Sequence, residues 1–363
     1  MKKYICIFAA FAAVLSCQKE APVIPSSTET LSVPATLEII NPMTKLGIET
    51  DSYVWTEGDQ ICVRQYNNSS ADIKAALSTK TKNALTATSS GKCSIFSGNL
   101  TSPYANSSWY IFYPFSAFGD ITSAGSTKNI KLTLPGKQSG TFDEYSGNGT
   151  TYSRLGECLM MTTDNFKVGV DKEQSQLTED GTMYSNVVFN SVQMNILTPV
   201  IKLTIPEELK VKQITFKAYK ENTSTPHEIC GAFKITLSSG VITSLPSNLH
   251  TVANQYQEII IRRNGLISGD VYITILPDLV NGNEIGTTNS ANQLYFKFQT
   301  TVNETDPNYK YFEITKSIQN ELTAGKVLDL GTVPTNLEFI APNASSQASV
   351  NFSGTVPSTT PAE

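Results

Sequence analysis

The constraint that bears hardest on the fold is the period of the apolar pattern. Apolar and polar residues alternate in Asn129-Ile130-Lys131-Leu132-Thr133-Leu134, in Val200 to Pro206, Gln213 to Ala218, Val271 to Leu276, Leu294 to Phe298 and Tyr311 to Ile314. Apolar side chains two residues apart fall on one side of an extended strand, leaving the polar ones wet. Strands of this kind pair into antiparallel sheets that hide one face, as a β-sandwich requires. Asp180-Gly181, Ser239-Gly240, Asn264-Gly265 and Asn281-Gly282 can supply the positive φ of tight turns between them. The clearest helical spacing is short, Ala71 to Leu77, with Ile73, Ala76 and Leu77 on one face. An all-β fold is expected.

Composition and length agree with that reading. Charged residues are only 16% of the chain, too few for long solvent-facing helices, which carry Glu, Lys and Arg in quantity. The 363 residues exceed one sandwich and suit two. From Tyr184 onward the strands become denser, which places a boundary near Gln193: one β-sandwich over 32–192 and a second over 193–333. After Val333 the chain turns rich in Pro, Ser, Thr, Ala and Asn, apart from Leu337-Glu338-Phe339-Ile340 and Val350-Asn351-Phe352. Residues 334–363 are therefore expected to be a disordered tail or a donated strand.

The start of the chain bears on compartment. Met1-Lys2-Lys3 is a positive lead, and Tyr4 to Leu15 is an apolar run of twelve residues, too short to span a bilayer and right for a secretion signal. It closes on Val14-Leu15-Ser16-Cys17, which looks like a bacterial lipobox. Residues 1–16 are then a lipoprotein signal peptide, Cys17 is the lipidated residue, and 17–31 form a flexible tether containing Ala21-Pro22-Val23-Ile24-Pro25. Acyl chains would anchor the protein to a membrane without spanning it. Cys62, Cys93, Cys158 and Cys230 remain; a boundary near residue 193 would divide them three to one, which favours buried free thiols over a paired framework.

Several function classes are disfavoured. Net charge is −5, from 27 basic and 32 acidic residues, and 25 − 32 = −7 without Lys2 and Lys3, so nucleic acid is not an expected partner. The two histidines, His227 and His250, have no Cys or His at ligand spacing beside them. Asp278, Asn281, Asn283 and Glu284 lack EF-hand spacing and read as a turn; Glu304 and Asp306 beside Pro307 read as a solvated loop. Neither a catalytic set, a metal site nor a cofactor is expected. Trp109, Tyr110, Phe112 and Tyr113 are read as core filling in preference to a carbohydrate-stacking platform.

One group of segments carries a family resemblance. Trp55-Thr56-Glu57-Gly58-Asp59-Gln60-Ile61-Cys62-Val63 resembles the W-x-x-G-D-x-I-x-V stretch of the fimbrillin family, the fimbrium subunits and related surface lipoproteins of Bacteroides-type bacteria. Phe96-Ser97-Gly98 resembles its F-x-G segment, and Trp109 to Ser116 its aromatic strand end. Leu134-Pro135-Gly136-Lys137-Gln138 resembles its L-P-x-x-Q turn, Leu159-Met160-Met161 its L-M segment, and Ala324 to Leu330 its closing strand. The resemblance implies two tandem transthyretin-like antiparallel β-sandwiches and a lipid anchor in the cell outer membrane with exposure at the surface. It also implies a role in adhesion, with other fimbrillin-type subunits as partners joined by β-strand exchange. In polymerising members an Arg-specific protease removes an N-terminal segment and a neighbour's strand fills the groove. Here the first or exchanged strand would lie in Leu31 to Ile40, with Val33, Ala35, Leu37 and Ile39 as its candidate residues. The first arginine is Arg64, beyond that strand, so an Arg-directed cut before it is ruled out. An anchor or accessory subunit is then as plausible as a shaft subunit. The alternative is a non-polymerising, monomeric surface lipoprotein that binds glycan or host protein through loops.

Overall fold

The computed structural model describes residues 31–40, 54–67, 82–124, 127–163, 167–220, 226–238, 241–244, 257–276, 292–318, 322 and 325–336. The signal and tether, Cys17, the segment 71–77, Ser239-Gly240, His250, Asp278 to Glu284 and the tail from 337 lie outside them.

The first strands are β1 (Ser32–Ile40), β2 (Gln60–Asn67), β3 (Asn83–Ala87), β4 (Cys93–Thr101), β5 (Ser107–Tyr113), β6 (Phe118–Ala124), β7 (Thr127–Leu134) and β8 (Lys137–Gln138). A hairpin of β9 (Tyr145–Gly147) and β10 (Thr150–Tyr152) leads to one helical turn, α1 (Leu155–Cys158). Then come β11 (Met161–Thr163), β12 (Gln176–Leu177), β13 (Tyr184–Val188) and β14 (Met194–Ile196). The remaining chain forms β15 (Val200–Ile205), β16 (Gln213–Lys220), β17 (Gly231–Ser238), β18 (Val241–Ser244) and β19 (Ile259–Ile261). It ends in β20 (Gly269–Thr274), β21 (Asn292–Gln299), β22 (Tyr311–Ile318) and β23 (Val327–Thr332).

These strands make an all-β, mostly antiparallel sandwich. The largest sheet runs β12-β13-β1-β4-β3-β2-β5-β11-β14. Three others run β20-β15-β23, β22-β21-β16-β19-β8 and β18-β17-β7-β6, with β9 and β10 apart. Parallel ladders join β1 to β13, β15 to β23 and β8 to β19.

Two apolar cores form, one on each face of β5. Trp109, Ile111 and Tyr113 enter a core with Val33, Leu37, Ile39, Phe96 and Val187. Tyr110 and Phe112 enter the other, with Cys62, Ile130, Leu132, Ile201, Phe216 and Phe298. A strand buried on both sides becomes continuously apolar, which is how the aromatic cluster arises. All four of its rings are at most 2% exposed, so none offers a face to a ligand.

The boundary expected near Gln193 is crossed by three ladders, one of them β11 on β14. β7 pairs with β17 over eight residues, from Thr127 opposite Ser238 to Leu134 opposite Gly231, and β8 pairs with β19. The cause is the buried face of β7: Ile130, Leu132 and Leu134 sit in the core that the second half of the chain mainly builds. Two staples hold the crossing. Gln138 is buried and treats Thr274 as a strand partner: its Nε2 donates to the Thr274 carbonyl at 2.8 Å, while the Thr274 N–H donates to its Oε1 at 3.0 Å. Arg263 donates to the carbonyls of Ser139, Gly140, Ser268 and Asp270 at 2.5–3.3 Å. Burial draws its pKa down to about 10, against the opposing pull of Asp270 and Tyr272.

The four described cysteines are free thiols: Cys62, Cys158 and Cys230 are buried, and Cys93 is exposed at the start of β4. Burial raises the pKa of all three buried thiols, that of Cys230 to about 12. Because the thiolate is the nucleophile, native alkylation at neutral pH is expected to mark Cys93, and the other three only after unfolding. Peptide mass spectrometry reads this directly. A buried pair that resists alkylation in denaturant without reductant would mean a disulfide.

Candidate strand-exchange site

β1 alternates strictly. Val33, Ala35, Leu37 and Ile39 are each at most 2% exposed, and Ser32, Pro34, Glu38 and Ile40 face out. Its nine residues pair antiparallel with β4 without a break, from Ser32 opposite Thr101 to Ile40 opposite Cys93. At the middle of the ladder Ala35 lies opposite Gly98. A Cβ at Gly98 would stand 2.6 Å from the Ala84 carbonyl oxygen, so the F-x-G segment needs glycine there for room.

The other edge of β1 is held more sparsely. It pairs parallel with β13 at Ala35 opposite Val187 and Thr36 opposite Val188. Backbone bonds continue the contact: the Phe189 N–H donates to the Thr36 carbonyl at 2.9 Å, and the Val192 N–H to the Glu38 carbonyl at 3.0 Å. The Ile40 N–H returns to the Val192 carbonyl at 2.9 Å, and the Ser191 hydroxyl donates to the Glu38 carboxylate at 2.5 Å. β1 is thus an interior strand with a full ladder on one side and a partial one on the other. Burying Val33, Leu37 and Ile39 contributes roughly 5–9 kcal/mol at about 1.5–3 kcal/mol per large aliphatic side chain. A strand held that firmly does not leave unaided, and its absence would open a groove lined by apolar pockets and unpaired backbone groups.

The W-x-x-G-D stretch builds the floor beside this core. Trp55 stands edge-on to Phe96 and to Tyr113, each at 5.0 Å between ring centroids. Gly58 takes φ +92°, a conformation open to glycine, and turns the chain into β2. Buried Asp59 accepts from the Thr56 N–H at 2.9 Å, the Tyr113 hydroxyl at 3.4 Å and the Arg154 guanidinium at 2.6 Å. A cleft of about 190 Å³ adjoins it, lined by Tyr113, Phe115, Ser116, Arg154 and Glu157 among others. With three donors on it, the Asp59 carboxylate locks a turn.

The remaining polar residues are dispersed. His227 is half-buried next to β17, and its backbone N–H donates to the Ala218 carbonyl at 2.7 Å. Glu304, expected in a solvated loop, bonds Lys297 at 2.9 Å and Tyr309 at 3.1 Å. Among the described residues no three of His, Cys, Asp and Glu come together as metal ligands, and no helix is long and apolar enough to cross a membrane. Sequence reasoning missed the Asp59–Arg154 pair and the Gln138–Thr274 pair, whose partners lie 95 and 136 residues apart.

No protein-family model matches the chain, and no curated protein matches it. Among solved structures, a candidate cell adhesion protein from Bacteroides uniformis is similar at 10% identity and TM-score 0.37, over 85% of this chain and 94% of that one. A candidate cell adhesion protein from Bacteroides ovatus also gives 10% and 0.37, over 84% of this chain and 92% of its own. A fimbrial protein from Bacteroides ovatus gives 12% and 0.31, over 88% of this chain and 55% of its own length.

Proposed function

We propose that this chain is a fimbrillin-like surface lipoprotein, anchored through Cys17, that serves as a structural or accessory subunit of an adhesive fimbrium. In this reading its two units are transthyretin-like, no cofactor takes part, and β1 is the strand exchanged between subunits. The observation that carries it is the setting of β1: a nine-residue ladder on β4, a partial one toward β13, and four buried side chains at alternate positions. The order of the W-x-x-G-D, F-x-G and L-P-x-x-Q segments supports it. The chemistry is strand addition, in which a donated strand satisfies the open edge of β4 while alternate side chains refill the pockets. No Arg precedes Arg64, so release of β1 calls for a protease with another specificity, and a subunit that keeps β1 would cap or anchor a fibre.

Surface-sheared material from native cells tests this on a denaturing gel, unboiled and boiled, probed with antibody to the chain. Strand-exchanged polymers hold in detergent until heated, because each donated strand is fixed by a backbone ladder and buried side chains. A ladder of bands that collapses on boiling is expected of a polymerised subunit. A single monomer band in both lanes would remove the polymerising role.

A further inference from the structure

The sheet β22-β21-β16-β19-β8 has one face in a core, through Phe216, Phe296, Phe298, Phe312 and Ile314. Its opposite face is unusual for a wet one. Gln213, Thr215 and Gln299 are buried there although they point away from that core. They belong to a chain of hydrogen bonds that crosses the strands. The Arg262 Nε donates to Gln213 Oε1 at 2.6 Å, and Gln213 Nε2 to Gln299 Oε1 at 2.6 Å. Gln299 Nε2 then donates to the Tyr309 hydroxyl at 3.2 Å, and that hydroxyl to Glu304, which also takes the Lys297 ammonium. Beside this chain stand half-buried phenol rings. Tyr219 and Tyr295 meet edge to face at 6.1 Å, and Lys297 lies 4.8 Å over the ring of Tyr311.

We propose that this face is a binding platform for a neutral oligosaccharide. A sugar ring has an apolar C–H face and a rim of hydroxyls, and it is matched by flat aromatic rings set among planar groups that both donate and accept. Tyr rings supply the flat faces at little cost in side-chain entropy, since the buried amide chain beneath them fixes the surface on which they stand. Groups remain to meet the hydroxyls: the Tyr219 and Tyr311 phenol oxygens and the two terminal nitrogens of Arg262 make no hydrogen bond among the described residues. Charge selects the ligand class. Lys217, Arg262 and Lys297 stand against Glu258, Glu304 and Glu313, with Lys137 of β8, in register with Ile260, as one further cation, and Lys217 pairs with Glu258 at 3.4 Å. Charges this close to balance give a sulfated or phosphorylated polymer little net field. The four strands from β19 to β22 span three spacings, ~14 Å, room for an oligosaccharide of a few sugars.

The platform needs no exchanged strand, so it stands or falls apart from the fimbrial reading. Its test is a glycan microarray carrying neutral and sulfated oligosaccharides, probed with the full chain in detergent. Binding to a set of neutral glycans is expected. The double variant Tyr295→Ala, Tyr311→Ala should bind them at least about tenfold more weakly, the loss of two aromatic stacking faces. Tyr311→Phe, which keeps the ring and the fold and removes only a hydroxyl, should lose about threefold to tenfold, one hydrogen bond's worth. No bound neutral glycan, binding confined to sulfated glycans, or undiminished binding by Tyr311→Phe and by a folded double variant would each overturn the proposal.

Discussion

Leu37→Asp is expected to leave little folded protein at neutral pH, whereas Glu38→Ala, one residue along the same strand, should stay near the parent in stability. Leu37 is 1% exposed at the middle of β1, and Glu38 points outward with one hydroxyl on its carboxylate. Losing the leucine forfeits about 1.5–3 kcal/mol of apolar burial. The carboxylate put in its place must ionise in a core or stay neutral at the cost of a pKa raised far above its usual range, a further penalty of several kcal/mol. The sum, upward of about 5 kcal/mol, rivals the whole stability of an ordinary domain. Urea unfolding of the two variants, followed by tyrosine and tryptophan emission, measures it. Acid should partly restore Leu37→Asp, because a group whose folded pKa is raised loses least below its unfolded value, where it is protonated in both states. A Leu37→Asp chain as stable as the parent would mean that β1 is dispensable to the fold, which would sink strand exchange through this groove.

The sequence announces faces far better than partners. Alternation is a local property, so Ile130, Leu132 and Leu134 in β7, or Ile201, Leu203 and Ile205 in β15, could be assigned to a buried side from seven or so residues. Which strand lies alongside depends on residues far away. Nothing near Asn129 indicates a pairing with Thr236, and the texture change at Tyr184 misses that ladder because composition is blind to it. The aromatic run of β5 shows a second limit: both parities are apolar, and only the two cores reveal that Trp109 and Tyr110 serve different ones. Asn148-Gly149, at φ +53° and +70°, makes the tight turn between β9 and β10 and was as readable as the four dipeptides singled out above. At the candidate site the alternation of β1 was plain, while its sparse parallel edge on β13 was not. The polar chain from Arg262 to Lys297 was illegible for the same reason as the ladders. Glu304 is solvated, as its sequence setting suggests, yet its bonds to Lys297 and Tyr309 are not legible, because only the hairpin of β21 and β22 brings those positions together.

Gln138→Leu puts the distance between turn and staple to the test. The L-P-x-x-Q segment reads as a strand end followed by a turn, a role in which the last residue could be any polar one. The structure gives its carboxamide another task. It acts as a surrogate peptide group, meeting both the N–H and the carbonyl of Thr274 and also the Pro135 carbonyl at 3.0 Å. Leucine has nearly the same volume and suits a site that is 1% exposed, so packing should survive. What is lost is the partner of a backbone N–H and of two carbonyls where water has poor access, at about 1–3 kcal/mol for each group left unmet. The expected loss is about 3–9 kcal/mol over the three groups, seen as a lower urea midpoint at unchanged slope. Gln138→Glu discriminates further. Its carboxylate still accepts from the Thr274 N–H but faces the two carbonyl oxygens with no proton, so it should be the less stable of the two at neutral pH. In acid the protonated form can donate to one of them, and its stability should rise as pH falls, the sign required of a buried acid whose folded pKa is raised. If Gln138→Leu cost less than about 1 kcal/mol, the value of a single ordinary hydrogen bond, the segment would be a turn and nothing more. The tie between residues 138 and 274 would then rest on Arg263, on the Tyr272 N–H to the Gly140 carbonyl, and on the β7 to β17 and β8 to β19 ladders.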